Sequence, residues 1–168
     1  PNARASSTPS GFKPVRIDLH VPARFSHRPS AWLLQKLGCP ESFTDPQAIY
    51  CIARERGMTH VTITDHNRIE GALEIAHLPG TFVSAEVTTY FPDDGCKVHV
   101  LVLDITEAQH VDIQKCRANI YDLTAYLRRA GIRHVVAHPL YRVNDRLTLE
   151  HFERLLLLFP HFEINGAR

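Results

Sequence analysis

Six short runs rich in Val, Ile, Thr and Phe, at residues 15–20, 59–65, 81–87, 97–105, 133–137 and 161–164, alternate with longer stretches of mixed polarity. That alternation constrains the fold more than any other feature. Short β-branched runs separated by helix-length segments are the pattern of βα units, which predicts an α/β fold with a mainly parallel sheet and helices packed on it. Helix signals fill most of the gaps. Thr44-Asp45-Pro46 offers a capping side chain with Pro just inside, and Gly57 offers a left-handed stop, so 44–57 reads as a helix. Residues 107–130 place Ile113, Cys116, Ile120, Leu123, Leu127 and Ala130 at alternating three- and four-residue steps before Gly131, the stripe of one long helix. Further helices are expected at 148–159, ending before Pro160, and at 30–37, around the single tryptophan Trp32.

With right-handed crossovers such a series forms an open doubly wound sheet or most of a barrel. A complete (β/α)8 barrel takes about 250 residues, and the chain has 168. The run at 161–164 has no following helix to cover it, so the expectation is a single domain over 15–168 that stops short of its C-terminal part. Residues 1–14 (PNARASSTPSGFKP) hold three Pro and three Ser and read as a disordered leader.

Composition excludes several functions. No apolar run exceeds six residues, and 155–159 is a run of five, far below the roughly 18 needed to cross a bilayer, so a cytoplasmic protein without a membrane partner is expected. A formal charge of +1, from 19 basic and 18 acidic residues, provides no field for generic nucleic-acid binding. The cysteines Cys39, Cys51, Cys96 and Cys116 form no C-x-x-C pair and read as ordinary thiols. Eleven histidines in a nearly neutral chain are the unusual count, because neutral imidazole is both the commonest metal ligand and the usual proton carrier.

Ligands of parallel α/β folds gather at the carboxyl ends of strands. Those ends carry Asp18 and His20, Asp65 and His66, Glu86, and His138-Pro139, with His99 inside the fourth run. Taken singly, each histidine reads as a surface or hydrogen-bonded core residue. Taken together they indicate a metal or catalytic task, since cores rarely hold several titratable groups at neighbouring strand ends without one. Asp18 and Asp65 suit either turns and caps or the outer carboxylates that orient a metal-bound imidazole. His134 and His138 lie on a strand, about 13 Å apart, and cannot share one ion. His60, His77, His110, His151 and His161 read as solvated or structural.

The ordered set Asp18-Leu19-His20, Thr64-Asp65-His66-Asn67, Glu86, His99 and Ala137-His138-Pro139 resembles the PHP (polymerase and histidinol phosphatase) family over about residues 15–168. The resemblance implies a distorted seven-stranded α/β barrel, of which about six strands are present, and metal-dependent hydrolysis of a small phosphorylated substrate. It implies divalent Zn, Mn or Fe, with His20 on a first metal, Glu86 bridging first and second, His99 and His138 completing the second, and His66 with His27 on a third. Asp18, Asp65 and Glu86 would be the catalytic carboxylates, Glu86 as the bridging ligand and the two Asp from outside the metal shell, and Arg24, Asn67 and Arg142 would hold the phosphate. Phe25-Ser26-His27-Arg28-Pro29-Ser30 and Lys36-Leu37-Gly38-Cys39-Pro40 further resemble PHP domains associated with glycosyltransferases.

Two departures bear on activity. The family's first motif reads D-x-H-x-H, and this chain has Pro22 in place of the second His, which offers no side-chain ligand. The family's late Asp-x-His motif is absent. A weakened phosphoesterase is therefore expected. The alternatives are a degenerate domain that docks beside another catalytic domain and an amidohydrolase-like metal hydrolase.

Overall fold

The computed structural model of the protein describes residues 14–23, 44–139 and 147–164. The expected helix at 30–37, the stretch resembling glycosyltransferase-associated domains and nearly all of the leader lie outside the described residues.

Strands β1 (Ser84–Tyr90) and β2 (Lys97–Leu103) are joined by only six residues, and this decides how they pair. A parallel partner needs a crossover of about a dozen residues or more. The two are accordingly antiparallel, with Ser84 opposite Leu103 and Tyr90 opposite Lys97. Strand β3 (Arg133–Val136) joins the other edge of β2, also antiparallel, with Leu103 opposite Arg133, and completes the order β1-β2-β3. The expected mainly parallel sheet is thereby corrected. β-Branched runs mark where strands are, whereas connection length sets their direction.

The other three expected strands, at 15–20, 59–65 and 161–164, form no ladder and carry isolated bridges at most. Segment 14–23 is held to 59–64 by Thr59 N–H donating to the Arg16 carbonyl and Thr64 N–H to that of Val21, both at 2.9 Å. Single parallel bridges join Val61 to Thr81, His66 to Glu86 and Val136 to Phe162. Six extended segments thus lie side by side in chain order. Their two ends meet where His20 Nδ1 comes within 3.3 Å of Glu163 Oε1. The described residues therefore form a mixed α/β structure around a three-stranded antiparallel sheet, and do not by themselves trace a closed seven-stranded barrel.

Helix α1 (Pro46–Glu55) starts as its sequence signals indicate, with Asp45 Oδ1 accepting from Gln47 N–H at 2.9 Å. Helix α2 (Glu70–Ile75) has no side-chain cap and only six residues, and so carries no start signal to read. The single long helix expected at 107–130 is two: α3 (Glu107–Cys116) and α4 (Ile120–Arg129). Asn119 adopts extended dihedrals and its side chain accepts from Tyr121 N–H at 2.9 Å. Asn is a poor interior residue and a good cap, so the chain restarts there although the apolar stripe runs on. Helix α5 (Leu149–Leu158) opens with Thr148 and His151 in a reciprocal cap.

Alternation along the strands separates two environments. Val98, Val100 and Val102 of β2, with Ala85 and Val87 of β1, pack in the main core with Ile113, Ile120, Leu123 and Leu127 of the helices. The opposite parity of β2 carries His99, Leu101 and Leu103, and Leu101 and Leu103 pack with Ala137 in a smaller cluster touched by Leu19 and Phe82. Glu86 has that same opposite parity on β1. The polar residues therefore face away from the helices.

One close approach tests this frame. Gly80 has φ +74°, and a Cβ there would lie 2.7 Å from the Thr59 carbonyl oxygen, beside the bridge at Val61. Gly131 has φ +65° and open space around it. Gly80→Ala is expected to lose about 2 kcal/mol or more in urea unfolding, and Gly131→Ala about 1 kcal/mol. Equal losses would show that the backbone contact at Thr59 does not matter.

Candidate metal centre

Glu86 lies in the middle of β1 and is only 1% exposed. Both of its oxygens are surrounded by imidazoles. His20 Nε2 lies 3.1 Å and His66 Nε2 3.2 Å from Oε2, while His99 Nδ1 lies 2.8 Å and His138 Nε2 3.0 Å from Oε1. Each imidazole reaches the carboxylate from a different extended segment. His20 ends the first segment, His66 follows the second and forms the bridge to Glu86, and His99 sits on β2.

His138 arrives by another route. By alternation it should follow His134 and Val136 toward the helices, where Val136 is in the main core and the His134 ring meets Phe159 edge-on. Just past β3, however, His138 takes φ +31°, an uncommon conformation for a side-chain-bearing residue, and this goes with its ring lying against Glu86. Its backbone N–H donates to Glu163 Oε2 at 2.6 Å. The other oxygen of Glu163 lies 3.3 Å from His20 Nδ1. Sequence reasoning missed Glu163. Its signal was an acid inside the short apolar run 161–164, at the strand end where the other candidates cluster.

The remaining predicted residues are placed as follows. Asp65 is buried, and its Oδ1 accepts from Ala23 N–H at 2.7 Å, tying the first segment to the second. Asp18 is exposed, and its Oδ1 accepts from the His20 backbone N–H at 3.2 Å. Both carboxylates therefore hold backbone near a candidate ligand. The Asn67 side chain pairs with Thr88, accepting its N–H at 2.8 Å and donating to its hydroxyl at 3.1 Å. His27, Arg24 and Arg142 lie outside the described residues. Pro22 sits between Val21 and Ala23, whose N–H groups donate to Thr64 Oγ1 and Asp65 Oδ1.

Among the described residues two sets of atoms could each hold an ion: His20, Glu86 and His138, and His66, Glu86 and His99, with the ligand atoms of each set within 4.8 Å of one another. The rings form one series across both sets, with His20 stacked on His138 at 5.5 Å, His138 edge-on to His99 at 5.1 Å and His99 edge-on to His66 at 4.7 Å. The expected trio of Glu86, His99 and His138 also converges, since His99 Nδ1 and His138 Nε2 are 3.3 Å apart. Tetrahedral zinc with bonds of about 2.0–2.1 Å separates its ligand atoms by roughly 3.3 Å, near the 2.8–3.2 Å between Glu86 and each imidazole and the 3.3 Å between His99 and His138. Imidazole and carboxylate donors suit zinc, iron and manganese alike. The residues fit a divalent metal.

Burial opposes ionisation of Glu86, yet contacts from His138, His20 and His99 and the charge of His66 outweigh it and hold the carboxyl well below the usual carboxylate range. Burial alone would lower the His20 imidazole, but Glu86 and Glu163 push it up to about 9. For His99 burial prevails over Glu86, and the neighbouring His66 and His138 add to the lowering. Others of the described histidines bond elsewhere. His134 Nδ1 donates to the Ile132 carbonyl at 2.7 Å, and His110 Nε2 lies 3.2 Å from the Asn67 carbonyl.

No family model matches the chain. A stretch of 68 residues is 35% identical to an uncharacterized protein of Methanocaldococcus jannaschii, covering 40% of this chain and 38% of that protein. The chain thus matches well under half the length of that relative. Its structure is similar to that of a Bifidobacterium adolescentis protein described as a metal-dependent phosphoesterase, with TM-score 0.57, 15% identity, and coverage of 89% of this chain and 77% of that one. It is also similar to an amidohydrolase from Chromobacterium violaceum whose structure holds sulfate and no metal, with TM-score 0.59, 16% identity, and coverage of 85% and 72%. At these identities the likeness establishes a shared fold. That fold is one found among hydrolases.

The raised His20 imidazole has a consequence in chelator-treated protein. Its stabilising contribution is complete below the ordinary value of 6.5 and disappears as pH rises through about 9. His99, lowered by burial, contributes on the other side and is lost as pH falls below 6.5. The melting temperature is expected to fall between pH 6.5 and 9.5, with His20→Ala flattening that decline. An identical decline in His20→Ala would remove the contacts with Glu86 and Glu163 as its cause.

Proposed function

We propose that this chain carries the metal centre of a hydrolase acting on phosphate esters, with zinc, manganese or iron as the ion. The observation that carries the reading is the convergence of four imidazoles on both oxygens of one buried carboxylate. A divalent ion bound there supplies Lewis acidity toward a phosphoryl oxygen and acidifies a water molecule. Glu86 stays ionised among its imidazole neighbours and sets a negative charge between the two ligand groups. Asp18 and Asp65 serve by fixing the backbone that carries His20. Arg24 and Arg142 are proposed to hold the phosphate of a small substrate.

Pro22, which brings no ligand where the resembling family has a second imidazole, favours a second reading: a catalytically degenerate domain that docks beside another catalytic domain. The likeness to an amidohydrolase keeps C–N bonds as a further substrate class. Elemental analysis of protein purified without chelator and without an affinity tag, followed by assays on p-nitrophenyl phosphate and on a cyclic amide, separates the three.

At least one zinc, manganese or iron per chain is expected, with hydrolysis of the phosphoester and not the amide. His138→Ala should lower metal content and reduce hydrolysis by about 100-fold or more. His134→Ala, whose ring faces the helices, should leave metal content unchanged. Folded protein without metal would support the docking module, and turnover of the amide alone would support the amidohydrolase.

A further inference from the structure

We propose that Glu163 is the positioning carboxylate of this centre, one group that orients two of its ligands at once. The proposal rests on the reading of His20, Glu86 and His138 as metal ligands.

An imidazole on a strand end is free to turn about its ring torsion, and a usable ligand needs one nitrogen aimed at the ion and the other anchored. His20 meets both conditions. Its Nε2 faces Glu86 Oε2 at 3.1 Å, and its Nδ1 lies 3.3 and 3.4 Å from the two oxygens of Glu163. Glu163 therefore stands behind the ring, on the nitrogen opposite the one that faces Glu86. It is placed to orient the ligand rather than to bind the ion beside it.

The second contact concerns the backbone. Strand alternation directs His138 toward the helices, and the turn to φ +31° accompanies its ring contact with Glu86. Such a conformation is costly for a residue with a side chain and persists only where its surroundings hold it. Glu163 Oε2 accepts the N–H of that same residue at 2.6 Å, a short hydrogen bond. Glu163 is itself anchored, because its N–H donates to the Val136 carbonyl at 2.9 Å beside the bridge between Val136 and Phe162. It lies 143 residues from His20 and 25 from His138. One carboxylate thus ties the first extended segment to the turn after β3.

The test compares the full chain with Glu163→Gln and Glu163→Ala, using cobalt(II) and zinc as probes. Metal affinity is measured by competition titration, and ligand geometry by the cobalt absorption bands. Glu163→Ala is expected to weaken binding by 10- to 100-fold. Glu163→Gln keeps one acceptor oxygen for two contacts, so it should lose less affinity and still shift the cobalt bands. If Glu163→Ala fails to fold, Glu163→Gln decides. A variant that melts at lower temperature yet binds cobalt with native affinity and an unchanged spectrum would make Glu163 a scaffold residue and overturn the proposal. Native protein that binds neither metal would overturn both the proposal and the metal-centre reading, whereas native binding matched by the variants overturns the proposal alone.

Discussion

One buried carboxylate organises this molecule. Glu86 is placed where an ionised group is ordinarily disfavoured, and it remains charged because four imidazoles from four different segments face its two oxygens. The dependence is mutual. A buried carboxylate without partners would carry a large desolvation cost, and buried imidazoles without an anion between them would repel one another once protonated. Removing either side leaves the other uncompensated, so the segments carrying them are bound to a common geometry.

The arrangement of the sheet follows from how these groups must be delivered. β1 and β2 have one face in the main core and turn Glu86 and His99 the other way. The first and second segments need no full ladder, because Asp65, Thr64 and Asp18 hold their backbones through side-chain hydrogen bonds close to His20 and His66. Polar side chains thus do part of the work of strand pairing. At the far end Glu163 joins the last segment to the first through the contact of its carboxylate with the His20 imidazole.

Much of this was legible in the chain. Three of the six β-branched runs marked the strands β1, β2 and β3, and period-2 alternation along 97–103 separates His99 from Val98 and Val100. Asp45, Thr106 and Thr148 are cap residues whose chemistry can be read locally. Other features were hidden for definite reasons. The apolar stripe through 113–127 continues across Asn119, so periodicity alone did not show the break that the Asn cap imposes. The antiparallel pairing of β1 and β2 is implied by the short connection between the runs 81–87 and 97–105, which is too short for a parallel crossover, whereas β-branched composition carries no direction.

The sequence by itself determined which residues could form a metal-binding set, because imidazole and carboxylate donors at strand ends are a matter of residue type and of period-2 alternation. It also determined the local caps and the two faces of β2. Only the tertiary structure decided that His138 reaches Glu86 against the parity of its strand, since a positive φ at one residue is a backbone choice that composition does not encode. Only the tertiary structure decided, too, that Glu163 meets both His20 and His138. That contact spans most of the chain, and its partners are brought together by packing rather than by any spacing along the sequence.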